Sequence, residues 1–168
     1  MTSFQTVYDR FLGKITDDMY LEGDKDNVLW NEQDTLNDLK NMLQDAIPGF
    51  EFPRFRLYTY DNGSFEDSEN FADDLTAEEI NILAILMLCA WVQRQLTSIE
   101  NTRMKYSGSD FKMTSQANHL AKVKELKLEV ERLDRHYQRL YKRRKFGDNQ
   151  KIESNWSILR QVSAIDDN

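Results

Sequence analysis

Hydrophobic positions recur with a helical period along most of this chain. Phe4, Val7, Tyr8, Phe11, Leu12 and Ile15 fall three and one residues apart, which places them on one face of a helix that Ser3 can cap. Thr16 to Asn31 is acidic and irregular. A second helix is predicted from Asp34 or Thr35, with Leu36, Leu39, Leu43 and Ile47 on one face and Pro48–Gly49 as its stop. From Phe50 to Phe65 the character changes. Phe52, Phe55, Leu57, Tyr58 and Tyr60 are strand formers, and Asp61–Asn62–Gly63–Ser64 signals a turn, so a short hairpin or extended arm is expected. An isolated hairpin is marginal in water, so this arm needs a partner surface.

The stretch Leu75 to Val92 carries the strongest local signal. Thr76 and Glu79 have the spacing of a capping box, flanked by Leu75 and Ile80 as a hydrophobic staple. From Ile80 to Val92 every position but Asn81 is apolar. A helix apolar all round must be covered on most sides, by other helices of the fold or by other subunits. Val92, Leu96, Ile99 and Arg103 extend one stripe, which predicts a helix to about Tyr106 before Ser107–Gly108–Ser109–Asp110 breaks it. A fourth and longest helix is predicted from Thr114 or Ser115. Its Val123, Leu126, Val130, Leu133, Tyr137 and Leu140 make a heptad-like seam, expected to pack on Ile80 to Val92. The short connection makes these two helices an antiparallel hairpin.

The fourth helix ends in Arg139, Lys142, Arg143, Arg144 and Lys145, where cations suit the negative end of a helix dipole. Phe146–Gly147–Asp148–Asn149 marks a boundary. Beyond it, Trp156, Ile158, Leu159, Val162 and Ile165 are apolar beads on a polar tail. They either pack back on the chain's own bundle or dock on a partner, where aromatic anchors dominate. The expected architecture is mainly α. It is a bundle of about four helices with a long antiparallel hairpin, a short β-like arm and an extended C-terminal tail. Residues 1–147 form the helical domain, with its aromatic arm near 50–65, and 148–168 form a docking tail.

Composition narrows the class. An apolar share of 40% beside a charged share of 30% describes a globular chain rather than a disordered one. The N-terminal MTSFQTVYDRFLGK has an early acid and no apolar core, so no signal peptide is expected. The 13-residue run from Ile80 to Val92 is short of the roughly 18 to 20 residues a bilayer span needs, so no membrane partner is expected. The single Cys89 lies in that run and reads as a small buried hydrophobe. The net charge of −7 is unevenly spread: residues 1–80 hold 6 Lys+Arg against 19 Asp+Glu, and residues 81–168 hold 16 against 10. An acidic front and a basic back suit a polar assembly, although solvated surface alone accounts for either half.

Catalytic chemistry is not visible. His119 and His136 stand about 25 Å apart on one helix, too far to share a metal. No phosphate loop, nucleophile elbow or paired-cysteine motif occurs, so neither an enzyme nor a cofactor is expected. Acidic pairs such as Asp17–Asp18 and Asp73–Asp74 lack flanking oxygen-ligand spacing. The basic cluster Arg139 to Lys145 is a solvated helix end, a nonspecific phosphate contact or a contact with an acidic protein surface, since no base-reading motif accompanies it.

The order of elements resembles the small helical head-to-tail connector, or neck adaptor, proteins of tailed bacteriophages. The features that carry the resemblance are the amphipathic first helix and the stop at Asp45–Ala46–Ile47–Pro48–Gly49–Phe50. The aromatic arm, the apolar helix and the long helix ending in Arg–Arg follow in the same order. Ser98 to Phe111, SIENTRMKYSGSDF, is similar to stretches found in phage structural proteins. The resemblance spans roughly residues 4–145. It implies a virion component assembled in the host cytoplasm, a ring of about a dozen copies below the portal. The C-terminal segment would reach the portal, another neck or tail protein would lie below, and double-stranded DNA would pass through. The arm, with Phe52, Phe55, Tyr58 and Tyr60 as contacts, departs from the shortest adaptors and leaves the level within the neck open. Two other classes stand beside it: a helical scaffold or regulatory module that binds a protein through its tail, and a small nucleic-acid-binding protein using the basic helix end.

Overall fold

A computed structural model describes residues 1–15, 32–54, 56–105, 113–146 and 152–154. It is mainly α-helical, as expected. Helix α1 spans Phe4–Leu12, α2 Glu32–Ala46, α3 Ala77–Lys105 and α4 Met113–Lys142. Strand β1 (Thr2–Ser3) pairs antiparallel with β2 (Asn70–Phe71), and β3 (Arg144–Phe146) with β4 (Ile152–Ser154). The second pairing joins residues on both sides of position 147.

Helix α1 starts where the sequence places it: Ser3 accepts from the Gln5 N–H, and Phe4, Val7, Tyr8 and Phe11 are buried. Helix α2 buries Leu39, Met42 and Leu43, leaves Leu36 at the surface, and tightens into a 3-10 turn at Ile47–Gly49. At Gly49 the backbone passes so close to α3 that a Cβ would sit 2.9 Å from a Leu86 methyl.

Helix α3 is the axis of the fold, and α1, α2 and α4 all pack on it. Lys14 after α1 donates to Asn81, and Arg94 pairs with Asp38 of α2. Leu83, Ala84 and Met87 are buried with the residues of α1 and α2 in the main core. Ile85, Val92 and Leu96 are buried outside that cluster, as are Leu120 and Val130 of α4. The chain's own helices bury Ile82 to Ile85, Met87 and Val92 of the apolar run and leave Leu86 and Leu88 to Trp91 half-buried. By length and mean hydropathy Ala77–Asn101 is also long and apolar enough to cross a bilayer, with 39% of the window buried inside the protein. That longer span takes in flanks carrying Glu78, Glu79, Arg94 and Glu100, which the 13-residue run leaves out.

Helices α3 and α4 run antiparallel. Glu79 at the start of α3 meets Tyr141 at the end of α4, and Glu100 pairs with Lys124 at the other end. The register differs from the expected seam. Val130 is buried, but Leu126 (43% exposed), Leu133 (42%) and Tyr137 (39%) face out. The inward row is Leu120, Val130, Asp134, Gln138 and Tyr141. With the half-buried Val123 and Lys127 between Leu120 and Val130, this row also repeats at three and four residues. The polar members of the inner row are accepted because they bond to one another and to the backbone.

The segment 50–65 is not a free hairpin. Among the described residues its bridge is Tyr60 to Phe71, and the strands that flank this region are β1 and β2. The chain turns at Gly63, whose φ of +84° suits a residue without Cβ. Ser64, Asp67 and Ser68 bond around that turn. Phe50, Leu57 and Phe65 are buried, so the core of this subunit is the partner surface the segment needs.

Candidate functional site

The structure separates the residues the sequence singles out. Of the arm contacts, Phe52 (41% exposed) and Tyr58 (64%) face solvent. Tyr60 does not. Its ring lies edge-on to Phe4 at 6.1 Å and to Phe65 at 5.3 Å, inside an aromatic cluster closed by Phe71. Phe55 lies outside the described residues, as do all five tail beads, Trp156, Ile158, Leu159, Val162 and Ile165.

The basic cluster straddles an element boundary. Arg139 and Lys142 occupy the last turn of α4, and Arg143 caps it by donating to the Arg139 carbonyl at 3.3 Å. All three are exposed. Lys142 places its ammonium 4.0 Å from the centre of the Phe52 ring, which joins the arm to the cluster by a cation–π contact. Arg144 and Lys145 belong to β3, opposite Ser154 and Glu153.

Beneath this cluster lies a polar clasp. Thr76 and Glu79 form the capping box: the Glu79 N–H donates to Thr76 Oγ1 at 3.3 Å, and the Thr76 N–H donates to Glu79 Oε2 at 2.6 Å. The same carboxylate accepts from the Tyr141 hydroxyl and lies 3.5 Å from the Arg54 guanidinium. Glu79 is only 1% exposed, so all its acceptor capacity is spent inside the protein. Burial, then the neighbouring Glu79, pushes the Tyr141 phenol far up, so it stays a donor. One turn earlier, Gln138 donates to Asp134 and to the Gly49 carbonyl, and accepts from the Glu51 N–H at 2.9 Å. Burial raises the Asp134 carboxyl. Sequence reasoning missed Arg54, Asp134, Gln138 and Tyr141. The signal that could have found the last three is their spacing of four and three from Asp134 onward, continuing the Leu120–Val130 row.

A surface cleft of about 740 Å³ lies between α1, α2 and the 65–69 loop. Lys40 crosses it and donates to the Glu66 and Ser68 carbonyls at 2.7 and 2.9 Å, which pins the loop to α2. Glu66, Asp67 and Glu69 give the rim a negative charge, and amides such as Asn37 and Gln44 line the wall. The cleft can hold a polar or cationic group. It has no nucleophile with an adjacent base.

Elsewhere the chemistry is that of a framework. His119 and His136 are exposed, and His136 rests edge-on against Tyr137. Burial, with Asp134 next, pushes the Cys89 thiol up to about 11, which keeps it protonated and unreactive at neutral pH. Among the described residues no three His, Cys, Asp or Glu side chains gather as metal ligands. No protein-family model, curated protein or solved structure matches the chain.

Proposed function

We propose that this chain is a structural component of a phage virion neck. It is a ring-forming adaptor that joins the portal to the tail and lines the channel through which DNA leaves. Charge segregation across the folded subunit supports this assignment. The negative rim of Glu66, Asp67 and Glu69 belongs to the α1–α2 side of α3. The exposed cations Arg139, Lys142 and Arg143 sit at the end of α4, which packs on α3 as a hairpin partner. A subunit with acidic groups on one element and basic groups on another suits head-to-tail contacts, and head-to-tail contacts that close make a ring.

In that ring the basic end of α4 meets the acidic loop of the next copy. The remaining acidic front repels DNA enough for it to slide, whereas a mainly basic lumen would bind phosphate too tightly. The tail beyond Gly147 docks on the portal through Trp156, Ile158, Leu159 and Val162, and a ring multiplies a weak contact by avidity.

Electron microscopy of the purified protein, alone and with a phage portal, tests the assignment directly. Rings that cap the portal are expected from the full chain, and a chain ending at Gly147 is expected to stay folded and fail to join portals. Particles of one or two copies at every concentration, with no portal association, would reject it. DNA binding that falls steeply with salt and needs Arg139 to Lys145 would favour a nucleic-acid-binding protein instead.

A further inference from the structure

One flank of α4, next to its buried row, stays partly exposed among the described residues. Leu126, Leu133, Tyr137 and the half-buried Leu140 lie within about 60° of one another around the helix and run for about 21 Å along it. One edge of this stripe carries charge that changes sign along its length. Beside the apolar residues, Glu125 and Glu129 come first, then Arg132, Arg139 and Arg143, all exposed, while the exposed Lys122 stands one turn before the stripe. In a parallel two-fold pair this edge would face the opposite edge of its neighbour, and its acids and bases would not meet one another. An antiparallel one sets acid against base.

We propose that this stripe is the seat of a second copy of the chain, paired antiparallel about a two-fold axis at Leu133. With Leu133 on the axis, Leu126 of one copy meets Leu140 of the other, and Glu125 of one meets Arg139 and Arg143 of the other. In antiparallel helices the same edge of each faces its counterpart, so every acid–base pairing occurs twice. Two heptads bury less than the roughly 1,200 Å² of standard interfaces, so the pair is a weak one that forms at high concentration. This contact closes at two copies and does not depend on the ring. It shares Arg139 and Arg143 with the head-to-tail contact of the ring, so Leu133, which that contact does not use, is the residue that separates the two.

Analytical ultracentrifugation from roughly 1 to 500 μM spans the range where a weak pair fills. Wild type is expected to move toward twice its monomer mass, or a ring toward paired rings. Leu133→Asp, exposed and outside the core, is expected to abolish that doubling without changing the circular dichroism. Glu125→Arg with Glu129→Arg is expected to weaken it at least tenfold, and adding Arg139→Glu with Arg143→Glu to restore much of it. In a Cys89→Ala background, Leu133→Cys is expected to cross-link with itself on mild oxidation, because helices packed 8–10 Å apart bring on-axis residues within disulfide reach. Leu128→Cys, on another face of α4, should not.

A mass that Leu133→Asp leaves unchanged overturns the contact. So does a doubling that disappears when residues 155–168 are removed, since the chain's own tail would then be involved. Rings without a Leu133 cross-link overturn the contact and leave the neck assignment standing. A cross-link without rings supports the contact alone.

Discussion

The two long faces of α4 invert the usual arrangement. The inward face holds Asp134 and Gln138, while the outward face holds Leu126, Leu133 and Tyr137. Burial here follows the partners available. Gln138 meets Asp134, the Gly49 carbonyl and the Glu51 N–H, and Tyr141 meets Glu79, so their place in the interior costs little. The apolar groups of the other row are only partly covered within the subunit, at 39–43% exposed. A side chain's polarity sets what it costs to leave water, and its neighbours set whether that cost is met.

Removing Glu79 should strain this contrast most. Glu79→Ala leaves the Thr76 N–H and the Tyr141 hydroxyl without their acceptor beside a half-buried Arg54, and is expected to cost about 3–5 kcal/mol. Urea unfolding monitored by circular dichroism reads this. A loss below about 1 kcal/mol would show that water or another acceptor replaces the carboxylate. Val130 and Leu133 then separate the faces directly. Val130→Asp buries a charge and should cost about 3 kcal/mol, while Leu133→Asp should stay within about 0.5 kcal/mol in the same melts. Equal losses would mean that the inward row has been misassigned.

Gln138→Ala comes next. It strips a donor from the Gly49 carbonyl and an acceptor from the Glu51 N–H, and an expected loss of about 2 kcal/mol should appear as a lower denaturation midpoint. Asp134→Asn has the smallest effect, and its sign is opposite. Burial raises the Asp134 carboxyl in the fold, so the protonated form is the better fit. Its contribution is fully present below the ordinary aspartate pKa and is lost as pH rises through the raised folded value. At neutral pH the ionised group therefore costs stability. Asparagine should gain up to about 1 kcal/mol there while still accepting from Gln138, and the stability curve should flatten at mildly acidic pH. A destabilised asparagine variant would show that the charge itself is needed.

The parts of this arrangement that are local in the chain were legible in the sequence. The Ser3 cap, the Thr76–Glu79 box, the stop after Ala46 and the turn at Gly63 each rest on residues a few positions apart. The α3–α4 hairpin was legible too, because one long apolar helix followed by another through a short break has few ways to fold. The register of α4 was not. Its two rows have the same three-and-four spacing, and the more apolar row attracts the inward assignment. Only the folded neighbours of Asp134 and Gln138 reverse it. The arm misled for a related reason. Phe52 to Tyr60 has strand composition, yet Tyr60 finds Phe4, Phe65 and Phe71 and folds down onto α1. Of the candidate site, the basic helix end stands at the surface as read, and the clasp beneath it, whose partners lie 25 and 62 residues from Glu79, could not be read.

The double use of Glu79 also bears on the order of events as the chain folds. Thr76 and Glu79 are three residues apart and can meet at once, so the start of α3 can form as soon as that turn is sampled. Tyr141 must cross a loop of some sixty residues to reach the same carboxylate. Until it arrives, Glu79 keeps part of its hydration and α3 is only half fastened. The cap then belongs to the folding nucleus, and the tyrosine acts as the latch that slows unfolding.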